Sequence, residues 1–378
     1  MNKKLLIIAG EASGDMHGAS LIEELKTLDN QILFYGIGGD RMISVGLNSL
    51  YHIKKMAFLG FVEVIRHLPF IKMVQRDLLQ LVERENISTV VLIDYPGFNL
   101  DIAKKLKKLG LKIFYYISPQ VWAWGKGRVK KIKSLVDKMI VVFPFEKEFY
   151  NNHNIEVEYV GHPLIEQISN YCFLSKEELF NKYSLDSDKE IILLMPGSRK
   201  HEIKKIFPYS IIAAEKLTKE FNVQIVVACA ENIDEKIFST LYSSTNFKVI
   251  KGNRYDLFKH SFFGIIKSGT STLEAGIFQL PFVVVYSSNW LTYILGKLLV
   301  DIKNIAMANI LLEETVVPEL IQSDINAENI YSTCKSILKN PSKIESIKQN
   351  LGLIKNKLGE FGASKRAAQL IYTQLNEA

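Results

Sequence analysis

Two acids lie four residues apart in GEASGD at 10–15, a glycine-bearing loop that follows the apolar run Leu5-Leu6-Ile7-Ile8. Such a loop commonly wraps a phosphate with backbone N–H groups and a helix N-terminus, but Glu11 and Asp15 would repel one. A third acid, Asp94, ends the run STVVLID at 88–94. Carboxylates so placed suit an uncharged, hydroxyl-bearing ligand and can take a proton from it. The second half of the chain carries the opposite sign, in PGSRKHE at 196–202 and KSGTSTLEAG at 267–276. Gly197 and Ser198 let backbone amides approach an oxyanion, Arg199 adds a charged fork, and Ser268-Gly269-Thr270 opens a helix whose first amides point at an anion. Glu274, one turn into that helix, is badly placed for phosphate but can accept two hydrogen bonds from adjacent ribose hydroxyls.

Each residue also has a local reading. Asp94 before a helix is equally an N-cap or Asx-turn residue, and Glu11 and Asp15 are equally caps of a helix starting near His17. Arg199 is equally a surface ion-pair partner, and Glu274 a complement to the helix dipole. His17 and His162 fit loop positions with satisfied hydrogen bonds. Asp186-Ser187-Asp188 matches a metal-binding DxD pattern, yet it precedes a strand instead of ending one.

The elements that must position these residues alternate. Strand patterns occur at 4–9, 31–36, 88–94, 112–117, 137–142 and 156–160, with helical patterns at about 17–28, 69–85, 98–109 and 127–135 between them. Runs such as VVLI, apolar at every position, predict strands covered on both faces of a parallel sheet. The rhythm lapses over 161–189 and resumes with strands at 190–195, 223–229, 247–250, 262–267 and 281–286, ahead of a helical tail after about 327. The expected organisation is an acceptor-binding domain at 1–165, a nucleotide-binding domain at 166–345 and a tail at 346–378 that crosses back to the first. Ligands of open parallel sheets sit beyond the carboxyl ends of the strands. The fold class is therefore α/β, two Rossmann-like parallel-sheet domains facing a central cleft, the glycosyltransferase B type, with a nucleotide on one domain and a polyol on the other.

The 378 residues are 48% apolar and 23% charged, the composition of an ordinary soluble protein with room for two cores. The opening MNKKLLIIA is too short to be a secretory h-region, and no window approaches a membrane span. Cys172, Cys229 and Cys334 have neither metal-ligand nor redox spacing, which suits a reducing cytoplasm. The net charge of +7 favours anionic partners without choosing among them. The stretch WAWGKGRVKKIK at 122–133 interleaves tryptophan with base as single-stranded nucleic-acid binders do, but its basic part has the spacing of a solvated helix face.

GEASGD, IDYPGFN at 93–99, SPQVWAW at 118–124, FPFE at 143–146, GHP at 161–163, PGSR, SGTSTLE and the MANILLEE region at 307–314 together resemble lipid-A-disaccharide synthase, in order and over nearly the whole chain. The resemblance implies transfer of a diacylated glucosamine from its UDP derivative to the 6-hydroxyl of diacylglucosamine 1-phosphate. It also implies inversion, no metal and no cofactor. It places the enzyme in the cytoplasm, peripherally on the inner membrane, allows a homodimer and gives no role to nucleic acid. On it, Asp94 is the base, with Glu11 or Asp15 assisting. Gly197, Ser198, Arg199, Ser268, Gly269, Thr270 and Glu274 bind UDP, and Asn309 joins them by resemblance alone. A UDP-N-acetylglucosamine 2-epimerase-like enzyme and a non-enzymatic RNA-binding protein are the alternatives.

One stretch of the first half, MAFLGFVEVIRHLPFIKMVQR at 56–76, is too densely apolar for one core-facing stripe and has bases among its apolar residues. It is read as a helix pair of split role, part core and part acceptor and membrane contact through Phe58, Phe61, Val62, Ile65, Arg66, Leu68, Phe70 and Lys72.

Overall fold

Segments apolar at every position, VVLI and IILL among them, become the central strands of two parallel sheets. The protein is described by a computed structural model covering residues 3–56, 67–122, 127–244, 246–287 and 304–376. The chain divides into two units, Met1–Glu166 with Leu358–Ala378, and Gln167–Lys357.

The first unit holds seven strands: β1 (Lys4–Ala9), β2 (Leu33–Gly38), β3 (Leu47–His52), β4 (Thr89–Ile93), β5 (Lys112–Tyr116), β6 (Lys138–Val141) and β7 (Val157–Tyr159). Their order is β3-β2-β1-β4-β5-β6-β7, all parallel. The second holds β8 (Glu190–Met195), β9 (Val223–Cys229), β10 (Phe247–Lys251), β11 (Phe263–Lys267), β12 (Phe282–Tyr286) and β13 (Glu319–Ile321), ordered β10-β9-β8-β11-β12-β13 and again parallel. Both sheets start at a middle strand and wind outward in two directions. A topological switch point therefore lies between β1 and β4 in one, and between β8 and β11 in the other; this is where the connecting loops part and leave a crevice at the strands' carboxyl ends.

β3 and β13 have no counterpart in the sequence reading. Both are edge strands, β3 alternating in burial and β13 three residues long, so neither has the continuous apolar signature of a buried parallel strand. The first helix begins at Ala12, earlier than the expected start near His17. Gly14 and Gly18 discourage helix by propensity, but a Cβ on Gly14 would lie 3.2 Å from the Ala9 Cβ and one on Gly18 2.6 Å from the Met42 sulfur. Close packing against the sheet, not local preference, makes these residues helical.

The helix Gly127–Leu135 buries Val129, Ile132 and Leu135 and exposes Lys130, Lys131 and Lys133, the division of an ordinary amphipathic surface helix. At the chain's end the helix Pro341–Lys357 stays in the second unit, packed on the helix Thr270–Ile277, where a Cβ on Gly276 would meet Ile354 at 2.2 Å. The segment that rejoins the first unit thus begins at Leu358 instead of 346. Its helix Ala363–Asn376 lies against Ala12–Leu28. The Ser364 amide donates to Glu166, and the Arg366 guanidinium donates to the carbonyls of Val160, Glu360 and Phe361. Among the described residues no helix is long and apolar enough to cross a membrane.

Candidate active site

Asp94 and Tyr95 follow β4 with φ of +43° and +49°, two successive non-glycine residues in the left-handed region. Each costs about 1–2 kcal/mol, so the surroundings must hold the elbow in place. They do so through the backbone. The Asp94 amide donates to the Tyr116 carbonyl, and the Asp94 carbonyl accepts from the Asn99 side chain (2.7 Å) and the Tyr115 hydroxyl (2.6 Å). The Tyr95 hydroxyl donates to the Met56 carbonyl. The loop after β1 closes directly on this elbow, because Gly10 has no side chain: a Cβ there would sit 2.2 Å from the Tyr95 ring.

The switch point between β1 and β4 therefore carries Glu11 and Asp94. Burial first, and the negative charge of Glu11 second, push the Asp94 carboxyl up to about 7. A carboxylate that binds and releases a proton near neutrality is matched to general-base work.

Asp15 does something else. It is buried, and its carboxylate accepts the backbone amides of Gly39 (2.6 Å), Arg41 (3.2 Å) and Met42 (3.0 Å). It thus caps the short helix Asp40–Ser44 from a distance. Glu11 is the N-cap residue of Ala12–Leu28 but makes no side-chain cap.

His17 and His162 are buried 6.3 Å apart, centroid to centroid. Burial holds His17 down to about 4 and His162 to about 3, so both are neutral where Asp94 titrates. The His162 Nδ1 accepts the Leu164 amide, and its ring packs on Phe143, which stacks on Phe145, which meets Trp122 edge-on. The motifs SPQVW, FPFE and GHP thereby join in one aromatic cluster, with the buried Glu146 accepting the amides of Val142 and Phe143.

At the switch point between β8 and β11 the loops carry bases. Gly197, at φ +130°, leaves room for the Glu202 carboxylate, which a Cβ would meet at 2.5 Å. Glu202 accepts the Ser198 amide and pairs with Arg199 at 3.5 Å. Ser268 turns its hydroxyl onto the Ile305 carbonyl (2.9 Å), so its side chain anchors a neighbouring segment and its backbone leads into Gly269 (φ +153°), the N-cap of Thr270–Ile277. The Thr272 amide donates back to the Gly269 carbonyl, and the amides of Thr270 and Ser271 stand at the helix start, where the helix dipole favours an anion.

Glu274 is buried in the helix, and one of its oxygens receives the Arg254 guanidinium at 2.8 Å. Burial pushes its carboxyl up while Arg254 opposes the rise. Arg254, itself bonded to the Tyr255 hydroxyl, escapes a sequence reading because its partner Glu274 lies 20 positions away, in a separate helix.

Asn309 is not available to a ligand. It is fully buried, its amide nitrogen donates to the Val317 carbonyl and Glu319, and its oxygen accepts the amides of Val316 and Val317. All the hydrogen-bonding capacity of the side chain is spent on shaping the approach to β13. Glu319 also accepts the amides of Ile305 and Ala306 and is the organising acid of that corner. The DxD acids serve a turn, Asp186 accepting the Asp188 amide and pairing with Lys189.

Of the acceptor and membrane residues, Phe58, Phe61, Val62, Ile65 and Arg66 lie outside the described residues. Leu68 and Lys72 are exposed on the helix Leu68–Glu85, whereas Phe70 is half-buried against Tyr51 at 5.8 Å.

Chains with two such parallel sheets recur among solved structures. The UDP-GlcNAc 2-epimerase from Neisseria meningitidis bound to UDP-GlcNAc superposes with a TM-score of 0.68 at 15% identity, over 98% of this chain and 100% of that one. The glycotransferase of kitacinnamycin does so at 0.67 and 11%, over 99% and 100%. At these identities the likeness establishes the shared two-domain fold. Sequence goes further: the lipid-A-disaccharide synthase of Geobacter metallireducens is 37% identical over 379 residues, covering 100% of this chain and 98% of the relative. The profile of the family described as Lipid-A-disaccharide synthetase matches residues 5–373, so the chain belongs to the lipid-A-disaccharide synthetase family.

Proposed function

We propose that the chain transfers 2,3-diacylglucosamine from its UDP derivative to the 6-hydroxyl of 2,3-diacylglucosamine 1-phosphate, giving the lipid A disaccharide 1-phosphate and UDP. The observation that carries the reading is the opposite charge of the two switch points, Glu11 and Asp94 on one sheet against Arg199 and the Thr270–Ile277 helix start on the other. In this mechanism Asp94 takes the proton of the 6-hydroxyl as its oxygen attacks the anomeric carbon. The bond to the diphosphate oxygen breaks with inversion. Glu11 keeps Asp94 basic, while Arg199 and the amides after Ser268 meet the charge that develops on UDP. Because those groups supply the positive charge, turnover is expected to persist in excess chelator.

Incubation with both substrates, followed by mass spectrometry and anomeric NMR, tests the reading. A disaccharide 1-phosphate linked with inverted configuration is the expected product. An epimerised UDP-sugar, or no disaccharide, overturns it.

Substrates with acyl chains have to be drawn from a membrane surface. Leu68 and Met73, 42% and 39% exposed, flank the exposed Lys72 on one helix, with Arg76 following. We assign the described part of the membrane contact to this face and leave out Phe70, which packs on Tyr51. Each apolar side chain contributes at most about 1.5–3 kcal/mol on burial, and each base roughly 1 kcal/mol at an anionic surface. Leu68→Ser with Met73→Ser is expected to lower co-sedimentation with anionic vesicles at least ~10-fold without changing the melting temperature. Equal pelleting by the folded variant removes the assignment.

A further inference from the structure

Lys267 belongs to no part of the site as built so far, yet it is the last residue of β11, beside the switch point of the second sheet. Its ammonium lies 3.0 Å from the Glu202 carboxylate oxygen that Arg199 also approaches, at 3.5 Å. The other Glu202 oxygen accepts the Ser198 amide. The same ammonium is 3.8 Å from where a Cβ on Gly269 would stand, which places it against the backbone that starts the Thr270–Ile277 helix. One buried carboxylate, 6% exposed, thus holds two cations, one from each phosphate-facing loop; Lys267 is 20% and Arg199 35% exposed.

The charge balance decides what such a cluster is for. A lone ion pair needs one base, and Glu202 already has Arg199 and a backbone amide. With a second base the three side chains carry a net charge of +1 at the strand ends, beside the start of the Thr270–Ile277 helix, whose dipole also favours an anion. The planar Arg199 fork suits two oxygens of one phosphate, and the compact ammonium of Lys267 suits the oxygen of a second phosphate as a point charge.

We propose that Lys267 is a diphosphate-binding residue. It contacts the donor's diphosphate together with Arg199, while Glu202 acts as the positioning residue that holds both cations at one spacing. The ligand class is a nucleoside diphosphate, preferred over the monophosphate through Lys267. The inference rests on the donor-site reading given above.

Titration calorimetry of UDP, UMP and uridine against the wild type, Lys267→Met and Lys267→Arg tests it, with melting temperatures measured alongside. Lys267→Met is expected to weaken UDP by ~10- to 100-fold, the range for losing a hydrogen bond to a charged group. UMP should change by no more than a few-fold and uridine not at all, and Lys267→Arg should restore most of the UDP affinity. Should Lys267→Met melt early, Lys267→Gln takes its place, since an amide still donates to Glu202 and keeps the cluster assembled. An unchanged preference for UDP over UMP overturns the assignment and leaves the donor site standing. A loss shared equally by UDP, UMP and uridine also overturns it, as the mark of a purely structural lysine. If the wild type itself does not bind UDP, the donor site is what fails, and Lys267 falls with it.

Discussion

Asp94→Asn is expected to lower kcat by about 10²–10⁴-fold, the range for loss of a general base, and to leave the protein as stable as before or more so at pH 8. The two parts have one cause. The Asp94 carboxyl is pushed up from 3.8 to about 7 by burial and by Glu11, so the folded protein binds this proton more tightly than the unfolded chain. Its ionised form opposes folding above pH 7, and that cost is relieved as pH falls from about 7 toward 4. Asn removes the buried charge, tolerates the left-handed backbone at φ +43° better than most residues, and leaves the bonds from Asn99 and Tyr115 in place, since both are made to the backbone carbonyl.

The pH profile separates base from scaffold. In the wild type kcat/KM should fall tenfold per pH unit below about 7, as the base takes up its proton. Glu11→Gln removes the second cause of the raised value and moves that limb to lower pH. Asp94→Asn abolishes the limb. An Asp94→Asn enzyme with wild-type turnover, or an acid limb indifferent to Glu11, rules out the role.

Gly10→Ala should be the most damaging single methyl group near the site. Its Cβ would lie 2.2 Å from the Tyr95 ring, and the ring is held by the Met56 carbonyl and by contact with Phe98. Forcing them apart costs about 1–3 kcal/mol of overpacking. It also moves the elbow that aims Asp94, and a misplacement of about 1 Å can cost roughly 10²-fold in rate. A lowered melting temperature together with a fall in kcat larger than the stability loss explains is the expected pair of results. Wild-type values for both would show that the two loops are not in the contact described.

Much of the fold is local in origin and so was legible in the chain itself. Strands buried on both faces must be apolar at every position, which is why β1, β4, β5, β8 and β11 could be read within a residue or so of their ends. The opposite loop charges of the two units were legible for a similar reason: a loop's charge belongs to its own residues, and the residue ending a strand lies at the carboxyl edge wherever that strand sits in the sheet. Eight motifs in order likewise identified the family that the full-length match confirms.

What a carboxylate or amide does with its hydrogen bonds was settled only in three dimensions, because the partners come from distant or separately folded segments. Asp15 looks like Glu11 in sequence, yet three amides 24 to 27 residues away make it a cap. Asn309 fits a ligand contact until four hydrogen bonds from Val316, Val317 and Glu319 use up its side chain. Glu202 and Lys267, 65 positions apart, become neighbours because β8 pairs with β11 and not because of anything written near either residue. Gly14 reads as loop by propensity and is helix by packing, since the contact that overrides the local preference belongs to Ala9 of β1. Local composition sets which groups are present at a strand's end; the order of the strands in the sheet sets which of those groups meet.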